Sequence, residues 1–259
     1  RTLFGIQKLP TDNQIRNLLD AVDPKRLQPV FVSVFEYLQQ QGLLDSFRSF
    51  ANTLLIALDG TGYFYSESIH CASCTVAHHR DGRTSYTHSA LMPAIVKPGC
   101  AQVIALEPEF IVPQDGHEKQ DCESVAAQRW LSAVGSRYAE LGITLVGDDI
   151  FGTQSYIEEL VQQDIQYILV AKPGSHKYLY EELHSFEQLG QLRVMQRTRW
   201  TGKQRLSYTY RYFNGVGLKD GEQAPKVNWV ELTITTPQGK IQLHMSFITS
   251  YLISDANVE

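Results

Sequence analysis

ITLVGDDIF, residues 143–151, is a short apolar run that stops at two adjacent aspartates. Ile143, Thr144, Leu145 and Val146 are β-prone and read as a buried strand, and Gly147 breaks it. Asp148 and Asp149 then stand at its carboxyl end. In open α/β sheets that is where ligands and catalytic groups gather. A pair of carboxylates there is costly unless something positive faces it: an arginine, a helix N-terminus or a metal ion.

Composition narrows the classes open to the chain. Its 259 residues can bury one large core or two modest ones. A hydrophobic fraction of 43% and a charged fraction of 20% are those of an ordinary globular protein. Apolar runs such as Leu54–Leu58 are far too short to span a bilayer, and no signal-peptide pattern opens the sequence. Four cysteines, two of them in Cys71-Ala-Ser-Cys74, suit reduced thiols or a metal better than a disulfide framework. A cytoplasmic protein without membrane partners is expected. The sequence starts at Arg1 and stops just where SDANVE resembles a helix cap and first turn, so both ends are expected to be cut from something longer.

Net charge of −5 argues against a protein that coats nucleic acid uniformly. The stretch RVMQRTRWTGKQRLSYTYR, residues 193–211, is different. It holds Arg193, Arg197, Arg199, Lys203, Arg205 and Arg211 with no acid, and Trp200 with two tyrosines among them. Basic groups can neutralise phosphates while aromatic ones stack on bases. The competing reading is the solvated face of a β-hairpin.

Around the opening strand the pattern alternates between elements. Thr11–Gln14 fits a capping box ahead of Ile15, Leu18, Leu19 and Val22. Asp23-Pro24 opens a second helix, with Leu27, Val30, Phe31, Val34, Phe35 and Leu38 on one face, and Pro29 kinks it or delays its start. TLLIALDG reads as a strand ending at Asp59, and TSYTHSALMPAIV and QVIALEPEFIV as two more joined by a KPG turn. A helix over residues 123–140 with Val125, Ala126, Trp130 and Val134 inward, the opening strand, a helix over Tyr156, Ile157, Leu160 and Val161, and the strand QYILVAKP complete a β-β-β-α-β-α-β order. That is an α/β, ribonuclease-H-like mixed sheet, in which the first and fourth strands lie side by side. Asp59 and Asp148 then meet.

LLIALDGTGYFYSESIHCASC, EFIVPQDGHEKQDCE and TLVGDDIFGTQSYIEELVQQDIQYILVAKPGSHKYLYEEL, in that order, resemble insertion-sequence transposases of the DDE class, over nearly the whole chain. The resemblance implies Asp59 as the first catalytic acid and Asp148, followed three residues later by the aromatic Phe151, as the second, with Asp149 as the runner-up. It also implies a division into a helical segment (1–50), a catalytic core (51–184), a β-rich insertion (185–247) and a return to the core (248–259). The third acid, a glutamate, is expected beyond Glu259. The partners implied are transposon-end and target DNA and a second copy of the chain in the DNA complex, with the protein at the bacterial nucleoid when on DNA.

Chemistry explains the carboxylates. Two Mg²⁺ ions about 3.5–4 Å apart can activate the attacking oxygen and stabilise the leaving one in a single in-line displacement. Mg²⁺, or Mn²⁺ in its place, takes hard oxygen ligands and keeps several waters, so Asp59 and Asp148 can hold it with little else. Glu123, at the start of the helix after the third strand, is a local alternative for the third acid or a group behind the ligands; the bland reading is favourable first-turn charge, which applies to Asp121 as well. HCASCTVAHH raises a second metal question. Cys71 and Cys74 are half a zinc site, with His88 and Cys122 as candidates to complete it and His78, His79 and His117 behind them. Against zinc stands a surface loop with two reduced thiols. Two function classes stay open beside a transposase: a ribonuclease-H-like nuclease without strand transfer, and a non-catalytic DNA-binding remnant.

Overall fold

The computed structural model describes residues 10–19, 22–113 and 121–259. Helices α1 (Asp12–Leu19) and α2 (Gln28–Gln40) come first. The strands, in chain order, are β1 (Leu54–Leu58), β2 (Gly60–Ser66), β3 (Thr75–His78), β4 (Thr84–Leu91), β5 (Ala94–Val96), β6 (Ile104–Ala105) and β7 (Glu109–Ile111). Helix α3 (Glu123–Ala139) leads to β8 (Ile143–Gly147), α4 (Gln154–Gln162) to β9 (Gln166–Val170) and α5 (Lys177–Gln188) to β10 (Arg193–Trp200). β11 (Arg205–Gly217), β12 (Lys226–Thr235) and β13 (Ile241–Thr249) follow.

The fold is α/β with a nine-stranded mixed sheet in the order β10-β11-β12-β13-β9-β8-β1-β5-β6. β1, β8 and β9 are parallel neighbours, β5 lies antiparallel to β1 and β6 to β5, and β10 to β13 extend the same sheet beside β9 as an antiparallel meander. The parallel strands are mostly apolar, with β1 and the first half of β8 buried on both faces and β9 alternating buried with half-buried residues. Leu54, Ile56, Ile143, Leu145, Tyr167 and Leu169 are buried together with Ala126, Trp130, Leu131 and Tyr138 of α3 and Tyr156, Ile157 and Leu160 of α4. Trp130 stacks on Tyr138, and Phe35 of α2 meets Tyr138 edge-on.

β2, β4 and β3 form a second, smaller sheet, with β7 paired to β4. Here the sequence expectation needs correction. TSYTHSALMPAIV is not one strand: it breaks at Met92-Pro93, and β4 belongs to the small sheet while β5 belongs to the large one. QVIALEPEFIV likewise divides between β6 and β7. Proline lacks the amide that a continuous ladder would use, which makes it a natural crossing point.

At the amino end, Thr11 and Gln14 exchange the two bonds of a capping box. Pro29 sits in the first turn of α2 and delays the helix behind a 3-10 turn at Pro24–Leu27. The packing expected of these helices is only partly met. Phe35 is buried, but Leu27, Val30 and Val34 are exposed, as are Ile15, Leu18 and Leu19 of α1. Val125 and Val161, expected inward, also face solvent. Among the described residues no helix is long and apolar enough to cross a membrane.

Candidate functional site

β1 and β8 pair with Leu58 opposite Gly147, so the next residues, Asp59 and Asp148, leave adjacent parallel strands at the same level. Both are exposed. Gly147 has no side chain because Phe151 folds back beneath it: a Cβ there would lie 2.7 Å from the Phe151 ring. The buried aromatic three residues after Asp148 therefore closes the floor of the strand end.

The two aspartates of the opening stretch separate cleanly. Asp148 is 58% exposed at its side chain, and Asp149 only 9%. Asp149 accepts from the Lys172 amide (2.6 Å) and the Ser175 hydroxyl, and lies 3.2 Å from His176 Nε2. That imidazole is close enough to pair yet misdirected for a hydrogen bond, and its burial makes protonation harder. Asp149 is tied to the loop before α5. Asp148 faces the open side, with Oδ1 accepting from the Asp149 amide (2.8 Å) and from Lys172 Nζ (3.1 Å). The amide first, then the lysine, hold its carboxyl below the ordinary aspartate range. In this structure the facing positive charge is therefore Lys172, at the end of the neighbouring strand β9. Lys172 carries the same strand-end signal as Asp148 and could have been named from it.

Glu123, the first residue of α3, completes the cluster. It lies against Gly60, where a Cβ would fall 2.1 Å from Glu123 Cδ and Oε1. Burial, then repulsion from Asp59 and from Asp148, raise its carboxyl above the ordinary range. The start of α3 is fixed from behind. Asp121 is buried, takes both terminal nitrogens of Arg129 (2.9 Å each) and accepts the Val112 and Cys122 amides. Asp121 thus anchors the helix that presents Glu123.

A separate group has different chemistry. Among the described residues, Cys71, Cys74 and His88 are the one set of three or more His, Cys, Asp or Glu side chains whose ligand atoms all lie within 4.8 Å of one another. The sulfurs are 3.8 Å apart, and His88 Nε2 is 3.3 Å from Cys71 Sγ and 3.4 Å from Cys74 Sγ. This cluster can hold a metal ion. Cys122 does not join it and sits at the N-cap of α3. His78 and His79 turn to Thr84 and Ser85, and His117 lies outside the described residues. The three carboxylates, by contrast, do not converge as tightly as the cysteine cluster.

The basic and aromatic stretch forms the β10–β11 hairpin at the edge of the large sheet. Arg197 and Arg199 pair with Glu259, and Arg211 with Glu187 and Glu231. For Arg193, Lys203 and Arg205 no ion pair is seen among the described residues. Trp200 is 66% exposed and shares its face with Arg205, its partner across the hairpin, because alternate residues of a strand point to opposite sides. Its neighbour Arg199 points the other way, over the Tyr208 ring.

Register sets the distance from hairpin to carboxylates. Val170, Phe247, Val230, Tyr212 and Arg193 lie in one row across the sheet, level with Asp148. Trp200 lies seven residues past that row on β10, a strand that the twist accumulated over five strand steps, at about 20–25° each, turns well away from the direction of β8. It stands roughly 23 Å further along and roughly 24 Å across, at about 3.3 Å per residue and 4.8 Å per strand. Trp200 is then on the order of 30 Å from the acids of the same chain, not beside them. No protein-family model matches the chain, and a search of curated proteins finds no match either.

Proposed function

We propose that the chain carries a metal-dependent phosphodiester-cleaving centre on a ribonuclease-H-like sheet, that of a DDE-class transposase, with Asp59, Asp148 and Glu123 as its acids. The observation that carries this reading is the level placement of Asp59 and Asp148 on adjacent parallel strands, with the Glu123 carboxylate pressed against Gly60 between them and α3. Three carboxylates with one lysine leave uncompensated negative charge, which hard divalent cations such as Mg²⁺ or Mn²⁺ neutralise. Rotation of the exposed Asp59 and Asp148 side chains would draw the oxygens together around them. The ions would activate a water or a 3′-hydroxyl and steady the leaving oxygen. Glu123 takes the part of the third acid in this reading, where the resemblance alone implies a glutamate beyond Glu259. DNA is the substrate, held by the edge hairpin, with a second copy of the chain in the complex. At Cys71, Cys74 and His88 the ion is zinc, since thiolates do not suit Mg²⁺.

A labelled duplex carrying the transposon end, incubated with this chain and Mg²⁺ or Mn²⁺, is expected to be nicked and its 3′-end joined to target DNA. Asp59→Ala, Asp148→Ala and Glu123→Gln should each reduce the rate by at least about a hundredfold, a barrier change near 3 kcal/mol, with unchanged DNA affinity. Cutting without joining points to the nuclease class. Binding without cutting, under both ions, removes the catalytic reading.

A further inference from the structure

We infer that the zinc at Cys71, Cys74 and His88 is the core of the small sheet, replacing the apolar packing that its outer strands lack. This rests on the assignment of zinc to the cluster and is independent of the phosphodiester chemistry.

The geometry fits the ion closely. Tetrahedral zinc with bonds of about 2.3 Å to sulfur and about 2.0–2.1 Å to nitrogen sets sulfurs about 3.8 Å apart and sulfur to nitrogen about 3.5 Å. The observed separations are 3.8 Å between the sulfurs and 3.3 and 3.4 Å to His88 Nε2. The Cys71-Ala-Ser-Cys74 backbone curls into a knuckle, with the Cys74 amide on the Cys71 carbonyl (3.3 Å) and the Cys71 amide on Cys74 Sγ (3.3 Å). Among the described residues three ligands are present, and a structural zinc takes a fourth.

The need for a staple shows in the burial. Between Asp59 and Thr84, through all of β2 and β3 and the loop joining them, Cys74 is the one buried residue, at 2% exposure. Tyr63, Tyr65 and Ile69 are exposed. Strands paired on one side without an apolar face are marginal in water. His88 lies on β4 opposite Phe64 of β2, so an ion there ties the β2–β3 loop to the strand that pairs with both. Tyr63, stacked on His88 at 5.8 Å, shields one face of the site. Metal binding to such a site is folding free energy for the segment it closes.

Protein purified without chelator should contain about one zinc per chain, and cobalt in its place should show tetrahedral d–d bands with thiolate charge-transfer absorption. Chelation should speed amide exchange over residues 66–78 at least tenfold and leave β1, β8 and β9 protected; Cys74→Ser should do the same with zinc supplied. Absence of both zinc and a cobalt–thiolate spectrum overturns the metal assignment. Bound zinc whose removal leaves exchange over 66–78 unchanged overturns the staple while the assignment stands. DNA cutting is read in a separate assay, so failure of either conclusion does not touch the other.

Discussion

Gly60 has no side chain, and the space that one would take is filled by Glu123. A methyl group there must displace a carboxylate that is itself placed by α3, so Gly60→Ala should disturb the acids while leaving all three in the sequence. Glu123 also carries the signature of crowding, since burial and two neighbouring aspartates raise its carboxyl. The folded state thus binds the Glu123 proton more tightly than the unfolded state does. The corresponding stability is present below the ordinary glutamate range and is lost as pH rises through the raised value. In metal-free buffer, Glu123→Gln should unfold at a higher temperature than the parent at neutral pH. The gap should close on acidification below the ordinary glutamate range. A variant no more stable than the parent at pH 7, followed by thermal melts, would mean that the three carboxylates do not repel and do not form a site.

At the scale of elements, the proposed function assigns DNA binding to the β10–β11 hairpin and cutting to the strand-end acids. Arg205, Lys203 and Trp200 sit at the tip of the hairpin that edges the large sheet. Arg197, Arg199 and Arg211 are occupied by Glu259, Glu187 and Glu231. Lys203→Ala and Arg205→Ala should therefore weaken DNA binding and each lower the slope of log affinity against log salt by about 1. Trp200→Ala should cost about 1–3 kcal/mol of binding by removing a stacking platform. At saturating DNA the cutting rate should barely change, because the register keeps the tip far from the acids. A rate that falls with affinity unaltered would place Trp200 at the reacting phosphate. The sequence made these elements unequally legible. β1, β8 and β9 announce themselves because parallel strands covered on both faces must be apolar run after run, and each ends on a charged residue near the edge. β2 and β3 do not, since GTGYFYS and TVAH bury almost nothing and lack an inward pattern. The partition of Asp148 from Asp149 was invisible for a different reason: the Lys172 amide and the Ser175 hydroxyl, which hold Asp149, arrive from 23 and 26 positions away.

On the scale of the whole molecule, the acids mark the joint between two sheets. Leaving β1 at Asp59, the chain passes straight from the large sheet into β2 of the small one, and the Met92 amide returns to the Asp59 carbonyl at 2.9 Å where β4 gives way to β5. Glu123 reaches the joint from α3, and Asp148 from the far side of β1. Like charges gathered at a seam push its parts apart, and Lys172, exposed to solvent, offsets that push only weakly. A divalent cation shared among the three would reverse the sign of the interaction, converting a repulsive seam into a cross-link between β1, β8 and α3. An ion that binds the folded state alone stabilises it by about 2.7 kcal/mol at a hundred times its dissociation constant. For a chain of this size that is a rise of roughly 5–10 °C in the midpoint of thermal unfolding. Mg²⁺ or Mn²⁺ should produce such a rise at neutral pH. Asp59→Asn with Asp148→Asn should abolish it, and Cys74→Ser should leave it in place, since the thiolate cluster selects a different ion. Equal stabilisation of the parent and the double asparagine variant would show that the cation acts elsewhere, and the joint would then be held by packing alone.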